Sequence, residues 1–190
     1  MVTIDEINAK MTYGDVRQKF EDPAVIFEIA SRGKTYVEIG TRFGGSAIAA
    51  GLAGCEVHCI DHFEYPNKQP DDQSTPEMVM RNWENAGIDL DKLHIYQQRH
   101  PPWPQAIEDQ KFDIGMIDGT HTEEACRLDW EAMRARINGY ILFHDIRGDT
   151  GNNTSPGIVF ANAAEDAEWE VVELPFKSLF GILKRCEYSL

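Results

Sequence analysis

Val37-Glu38-Ile39-Gly40-Thr41-Arg42-Phe43-Gly44-Gly45-Ser46 decides the fold of this chain. An apolar run enters a glycine turn, and the small residues Ala47 to Ala50 follow as a helix that can pack closely on a sheet. Such a turn presents backbone N–H groups at a helix N-terminus, where a ligand can approach them. Glu38 ends the strand with a carboxylate able to accept hydrogen bonds from a cationic or hydroxylated ligand. The spacing is not the dinucleotide G-x-G-x-x-G, because position 42 is arginine and the next glycines stand at 44 and 45. Alone, the segment reads equally as a structural turn or a binding loop.

Outward from this turn, short strand-like runs alternate with longer helix-like ones, which predicts an α/β fold. Strands are expected at Thr35–Ile39, Glu56–Ile60, Leu93–Gln97, Phe112–Ile117, Tyr140–His144, Trp169–Leu174 and Phe180–Lys184. Helical segments are expected near 45–53, 76–87, 103–110, 122–136 and 156–166. The first five strands, each followed by a crossover, predict parallel pairing with right-handed connections. Pro175 to Leu179 is too short for a crossover, so the last strand should run antiparallel. The expectation is a doubly wound, Rossmann-like, seven-stranded, mostly parallel sheet with helices on both faces. Residues 1–30 read as one or two helices on that sheet, with Ile26, Phe27 and Ile29 as core contacts.

A chain of 190 residues suits one domain, 1–190, with a core over 35–186. The 18 Lys and Arg against 32 Asp and Glu leave a net charge of −14, which opposes nucleic-acid backbones and anionic lipid. With neither an export signal nor a long apolar run, the expected place is the cytoplasm. Four cysteines, at 55, 59, 126 and 186, show no C-x-x-C spacing and read as buried reduced thiols. The Asn152 and Asn153 sequons and Arg147-Gly148-Asp149 read as chance matches without an export signal. The polar loops at 66–76 and 147–157 leave carboxyl ends of strands, the edge where open α/β sheets bind ligands, and are candidate substrate walls.

Chemistry-bearing residues collect at that same edge. Asp61 closes the second strand about twenty residues past the glycine turn, where an acid can take both hydroxyls of a ribose. Strand four ends in Asp118-Gly119-Thr120-His121 and strand five in His144-Asp145. Asp118, His144 and Asp145 form an oxygen-rich set with one imidazole, compatible with Mg²⁺ or Mn²⁺. His121 stands in the loop that opens a helix capped by Thr120 or Thr122, placed for general-base work. His62 reads as lining the pocket, and His58 and His94, inside strands, as structural.

Together, Glu38-x-Gly40-Thr41-x-x-Gly44-Gly45-Ser46, Asp61, Phe112 to His121, Gly139 to Asp145 and Trp169 to Pro175 resemble the class I S-adenosylmethionine-dependent methyltransferases, and among them small-molecule O-methyltransferases of the macrocin type. The resemblance runs over 35 to 186 and implies that Gly40, Thr41, Gly44 and Ser46 hold the methionine end of S-adenosylmethionine, with Glu38 near its amino group. It implies that Asp61 takes the ribose, with His62 and Asp118 also at the cofactor, and that Asp118, His144 and Asp145 bind magnesium. His121, Asp118 and Asp145 would be the catalytic residues, acting on a hydroxylated small molecule such as a sugar, glycoside or phenol. Two departures stand out: relatives often carry an acid where His144 stands, and Gln97 to Pro102 replaces the usual glycine and serine after strand three, which leaves adenine contacts by Arg99 or His100 unsupported. The short N-terminal region suggests that a homo-oligomer completes the acceptor site. Rival readings are a non-catalytic protein that binds S-adenosylmethionine or another adenosine ligand, a metal-dependent enzyme of the same fold with other chemistry such as hydroxylation, and, behind them, a nicotinamide dehydrogenase.

Overall fold

Alternation along the first strand divides the protein into two packed layers. In the computed structural model, which describes residues 3–12, 22–64, 73–148, 154–174 and 179–188, β1 (Thr35–Ile39) sends Tyr36 into one layer and Val37 and Ile39 into the other. On the Tyr36 side lie α1 (Ile4–Asn8), α2 (Asp22–Ala30), α3 (Gly45–Leu52) and α4 (Pro76–Asn85), with Ile7, Ile26, Ile48 and Trp83 buried against the sheet. On the opposite side lie α5 (Glu123–Arg134) and α6 (Ser155–Ala163), which bury Trp130, Met133, Val159 and Ala163. The small residues of α3 allow close approach: a Cβ on Gly51 would stand 2.4 Å from the Trp83 ring of α4.

The remaining strands are β2 (Glu56–Asp61), β3 (Leu93–Gln97), β4 (Phe112–Ile117), β5 (Ile137–Phe143), β6 (Trp169–Val171) and β7 (Gly181–Arg185). They form one seven-stranded sheet in the order β3-β2-β1-β4-β5-β7-β6. β1 to β5 pair in parallel, and β7 runs antiparallel to both β5 and β6. The doubly wound sheet with one reversed strand is therefore present as expected. Strand order turns back between β1 and β4, which opens a crevice at the carboxyl ends of these strands. Helix starts follow the sequence: Thr75, Thr122 and Thr154 each accept a backbone N–H at the N-caps of α4, α5 and α6.

Several expectations change. The helix expected over 103–110 is only a 3-10 turn at Gln105–Ile107: Pro104 disfavours helical backbone at Trp103, the N–H groups of Ile107, Glu108 and Gln110 bond three residues back, and the Trp103 indole donates to the Ile107 carbonyl. β5 begins at Ile137, since that apolar side chain is buried beside Met133. β6 stops at Val171, with one further bond from Val172 N–H to the Ile182 carbonyl. Phe27 is half-buried, and Val25 joins Ile26 and Ile29 in the core instead. Cys55, Cys59 and Cys126 are buried free thiols, whereas Cys186 is exposed. Among the described residues no helix is long and apolar enough to cross a membrane. The candidate walls at 66–76 and 147–157, the reversal at 175–179 and the sequons lie wholly or partly outside the described residues.

Candidate active site

Register brings the site to one level. Ile39 pairs with Ile60 and with Ile117, and Ile117 pairs with Phe143, so Gly40, Asp61, Asp118 and His144 each stand one residue beyond the same row. Three backbone bonds continue the ladder there: Gly40 N–H to the Ile60 carbonyl, Asp118 N–H to that of Ile39 and His144 N–H to that of Ile117. Gly40 has φ of +93°, and a Cβ at this position would lie 2.1 Å from the Asp118 carbonyl oxygen. Only glycine admits the loop after β4 so close to the turn after β1.

The turn itself is held from below. Asp61 accepts from Arg42 N–H and Phe63 N–H through its two carboxylate oxygens, each at 2.8 Å, so it fixes both loops at the ends of β1 and β2. Asn82 of α4 donates to the Phe43 carbonyl at 3.0 Å and accepts from Thr12 N–H at 2.8 Å. Gly44 occupies the left-handed region and gives α3 no side-chain cap. The first N–H groups of α3 thus face the crevice edge without a capping side chain. Beside them the Thr41 hydroxyl is buried without a close hydrogen bond among the described residues, though near enough to the Glu38 carboxyl to lower it. This donor and an uncapped helix start suit a ligand carboxylate at this point. His62 half-buries its ring, with Nδ1 accepting from Glu64 N–H at 2.8 Å.

Glu38 is fully buried beneath this turn and accepts from the Tyr36 hydroxyl at 3.0 Å. Burial pushes its carboxyl up from 4.5 to about 7, against the lowering influence of the Ser46, Thr41 and Tyr36 hydroxyls. The group therefore changes charge near neutral pH.

On the other side of Gly40 lies an acid and imidazole cluster. Asp118 Oδ1 is 3.1 Å from His144 Nδ1 and 3.4 Å from His121 Nε2. Asp145 Oδ2 is 3.4 Å from His144 Nδ1 and 3.8 Å from His121 Nδ1. Burial would raise Asp118, but His144 and the hydrogen bonds from both imidazoles outweigh it and hold the carboxyl below the ordinary value. The hydrogen bond from His144 lowers Asp145 in the same way, against burial. His121 is raised by its bond to Asp118, again against burial. Asp118, His121 and Asp145 can each turn a ligand atom to within 4.8 Å of the others. The imidazole in this set is His121, whereas the expected metal set names His144, whose Nδ1 is turned to both carboxylates.

Two further residues escape a reading of sequence alone. His100, doubtful there as an adenine contact, is buried with Nδ1 2.7 Å from Asp129 Oδ1 of α5. Asp129 also backs the loop after β4, since a Cβ on Gly119 would stand 3.1 Å from its Oδ2. Polar residues at buried positions of amphipathic helices, Asp129 beside Trp130 and Asn82 beside Trp83, are the sequence signal for both braces.

The comparisons with known proteins agree with this geometry. The sequence model of the family described as "Methyltransferase domain" matches residues 37–146, from β1 through the cluster after β5. No curated protein matches in sequence. Among solved structures, cofactor-bound Rv0187 from MTB aligns with a TM-score of 0.70 at 14% identity, over 96% of this chain and 87% of that one. The O-methyltransferase from Bacillus cereus in complex with SAH aligns at 0.65 and 15% identity, over 96% and 88%. CalS11, a TDP-rhamnose 3'-O-methyltransferase of calicheamicin biosynthesis, aligns at 0.61 and 12% identity, over 88% and 78%. At these identities the structures speak for the fold, and the family match, which spans more than half of the chain, speaks for the enzyme class. The chain belongs to the methyltransferase-domain family and is a class I S-adenosylmethionine-dependent methyltransferase.

Proposed function

We propose that the protein methylates a hydroxyl of a small molecule such as a sugar, glycoside or phenol, and that a divalent cation such as Mg²⁺ or Mn²⁺ assists. The observation that carries this reading is the convergence of Asp118, His121 and Asp145 on the carboxyl edge, one residue level with the glycine turn. The O-methyltransferase neighbours support the reaction class, and the TDP-rhamnose enzyme among them supports a sugar-like acceptor.

S-adenosylmethionine supplies an electrophilic methyl on sulfonium. Thr41, Ser46 and the start of α3 would hold its amino-acid end, Glu38 would sit beneath the ammonium, and Asp61 and His62 would receive the ribose. Asp118, His121 and Asp145 would hold the cation, whose Lewis acidity lowers the pKa of an acceptor hydroxyl. His144 braces both carboxylates through Nδ1. In the absence of metal the His121 and Asp118 pair is itself a general-base dyad, with the carboxylate stabilising the imidazolium that forms. Holding acceptor and methyl in line supplies much of the rate.

The test is a thermal-shift and calorimetry screen with S-adenosylmethionine and its demethylated product, with and without Mg²⁺ and Mn²⁺, followed by transfer assays on hydroxylated acceptors. Binding, turnover and loss of turnover in His121→Ala with cofactor binding retained are expected. Binding without turnover on any acceptor would overturn the transfer reading, and no binding of either molecule would sink the cofactor assignment as well.

A further inference from the structure

Away from this site, one cluster has the chemistry of a metal centre. His58 of β2 and His94 of β3 are direct cross-strand partners, and Glu56 shares their face two residues before His58. Glu56 opens β2 while Asp61 closes it, so the cluster stands about 10 to 16 Å from the crevice at strand spacing. A single carboxylate oxygen, Glu56 Oε1, faces two imidazole nitrogens: His94 Nε2 at 2.8 Å and His58 Nε2 at 3.5 Å. The rings stack at 4.4 Å, 23° from parallel. The three side chains can each turn a ligand atom to within 4.8 Å of the others.

We propose that Glu56, His58 and His94 bind a divalent transition metal of the zinc class and thereby clamp the edge strand β3 to the sheet. Two imidazoles and one carboxylate are a recurrent zinc donor set, and bonds of about 2.0 to 2.1 Å put tetrahedral ligand atoms roughly 3.3 Å apart. The observed 2.8 and 3.5 Å separations bracket that spacing, so modest side-chain adjustment seats the ion. His58 is prepared for the role. Its Nδ1 lies 3.1 Å from the Tyr96 hydroxyl, which leaves Nε2 as the nitrogen facing Glu56, and its ring packs edge-on against Phe112. An outer partner of this kind is what fixes a ligating imidazole. Gln110, whose amide nitrogen is 3.5 Å from His58 Nε2, would give way to the ion. Glu56 and His94 keep 47% and 37% of their side chains exposed, which leaves the fourth position open to water.

Cobalt(II), whose visible absorption reports nitrogen coordination, and zinc(II) are the probes. The chelator-treated full-length protein is titrated beside His94→Ala, Glu56→Gln and the double variant Asp118→Asn/Asp145→Asn. The exposed positions of Glu56 and His94 keep these variants folded, which circular dichroism verifies. In the double variant, which loses the carboxylates of the crevice set, one equivalent of cobalt signal is expected, with at least tenfold weaker binding when Glu56→Gln is added and no signal when His94→Ala is added; the wild type takes a further equivalent at the crevice. Zinc should raise the melting temperature in the same pattern, and S-adenosylmethionine binding should be unchanged in His94→Ala. A cobalt signal that survives when His94→Ala is added to the double variant, or that is absent from the double variant itself, would overturn the proposal.

Discussion

Replacing Glu38 with Gln tests the electrostatics beneath the glycine turn. Glu38 is fully buried, and its pKa rises from 4.5 to about 7 because ionisation there must proceed without water. The folded state therefore holds a proton that the unfolded chain releases between these two values. Stability from this group is fully present below pH 4.5, declines between pH 4.5 and 7, and above pH 7 is lower by about 3 kcal/mol at 1.36 kcal/mol per tenfold. Glutamine reproduces the protonated form: its amide oxygen can still accept from the Tyr36 hydroxyl. Guanidinium unfolding of wild type and Glu38→Gln at pH 5, 6, 7 and 8 should give nearly equal stabilities at pH 5, with the variant more stable by about 3 kcal/mol at pH 8. Titration of other groups cancels in this difference. Profiles that stay parallel from pH 5 to 8 would refute the reasoning.

The same substitution should reverse sign in the presence of cofactor. A ligand ammonium above Glu38 favours the carboxylate, so binding near pH 6 should release a proton, visible in calorimetry as a dependence on buffer ionisation enthalpy. Glu38→Gln should abolish that release and weaken binding about tenfold or more, as expected when a charge-assisted contact is lost.

Three further comparisons of variants probe the scaffold and the proposed cradle. Gly40→Ala should cost about 3 kcal/mol or more, because its Cβ would meet the Asp118 carbonyl at 2.1 Å; Gly54→Ala, at φ +103° with nothing within 4 Å, should cost only the backbone strain of about 1 to 2 kcal/mol, and equal losses in denaturant unfolding would contradict the close-contact account. His100→Ala should destabilise by roughly 3 kcal/mol by stranding buried Asp129, and a double-mutant cycle with Asp129→Ala should recover part of that loss; strict additivity would show that the 2.7 Å contact carries no coupling. Asp61→Asn should weaken S-adenosylmethionine about tenfold to a hundredfold by calorimetry, while Asp61→Ala should also lower thermal stability, since it removes acceptors from both Arg42 N–H and Phe63 N–H; undiminished affinity in both would remove Asp61 from the cofactor site.

The strands were legible because each apolar run is bracketed by residues that end it. β1, β3 and β4 lie where the sequence places them, and β2 extends by one residue, to Asp61. The segment 103–110 misled because Trp103, Ile107 and their neighbours have helical spacing, while Pro104 disfavours helical backbone at Trp103 and the following N–H groups bond three residues back. At the site, Asp118, His121 and Asp145 were visible as polar residues closing apolar strands. The spacing within the cluster was not, with His144 Nδ1 nearer to both carboxylates than His121, because it depends on the turn after β5, where Asp145 takes a left-handed φ of +52°. A non-glycine residue in that region follows from tertiary contacts that no local pattern encodes. The braces at Asn82 and Asp129 were hidden for a similar reason: their partners, Phe43 and His100, lie 39 and 29 residues away in the chain.

Gly40 changes meaning most between sequence and structure. Read locally, its freedom serves a ligand that must come close to the backbone. In the fold, its missing side chain is filled by the Asp118 carbonyl, so the contact joins the turn after β1 to the loop that carries Asp118 and His121. Asp129 backs that same loop from α5, and Asp61 and Asn82 hold the turn from β2 and α4. The glycine turn and the acid cluster are thus two sides of one packed junction. A substitution that shifts the turn by an ångström must shift Asp118 with it, and because transfer depends on alignment of acceptor and methyl, activity should fall more steeply than cofactor affinity. On the proposed function, the glycine turn therefore sets the distance between cofactor and acceptor as well as the shape of the cradle.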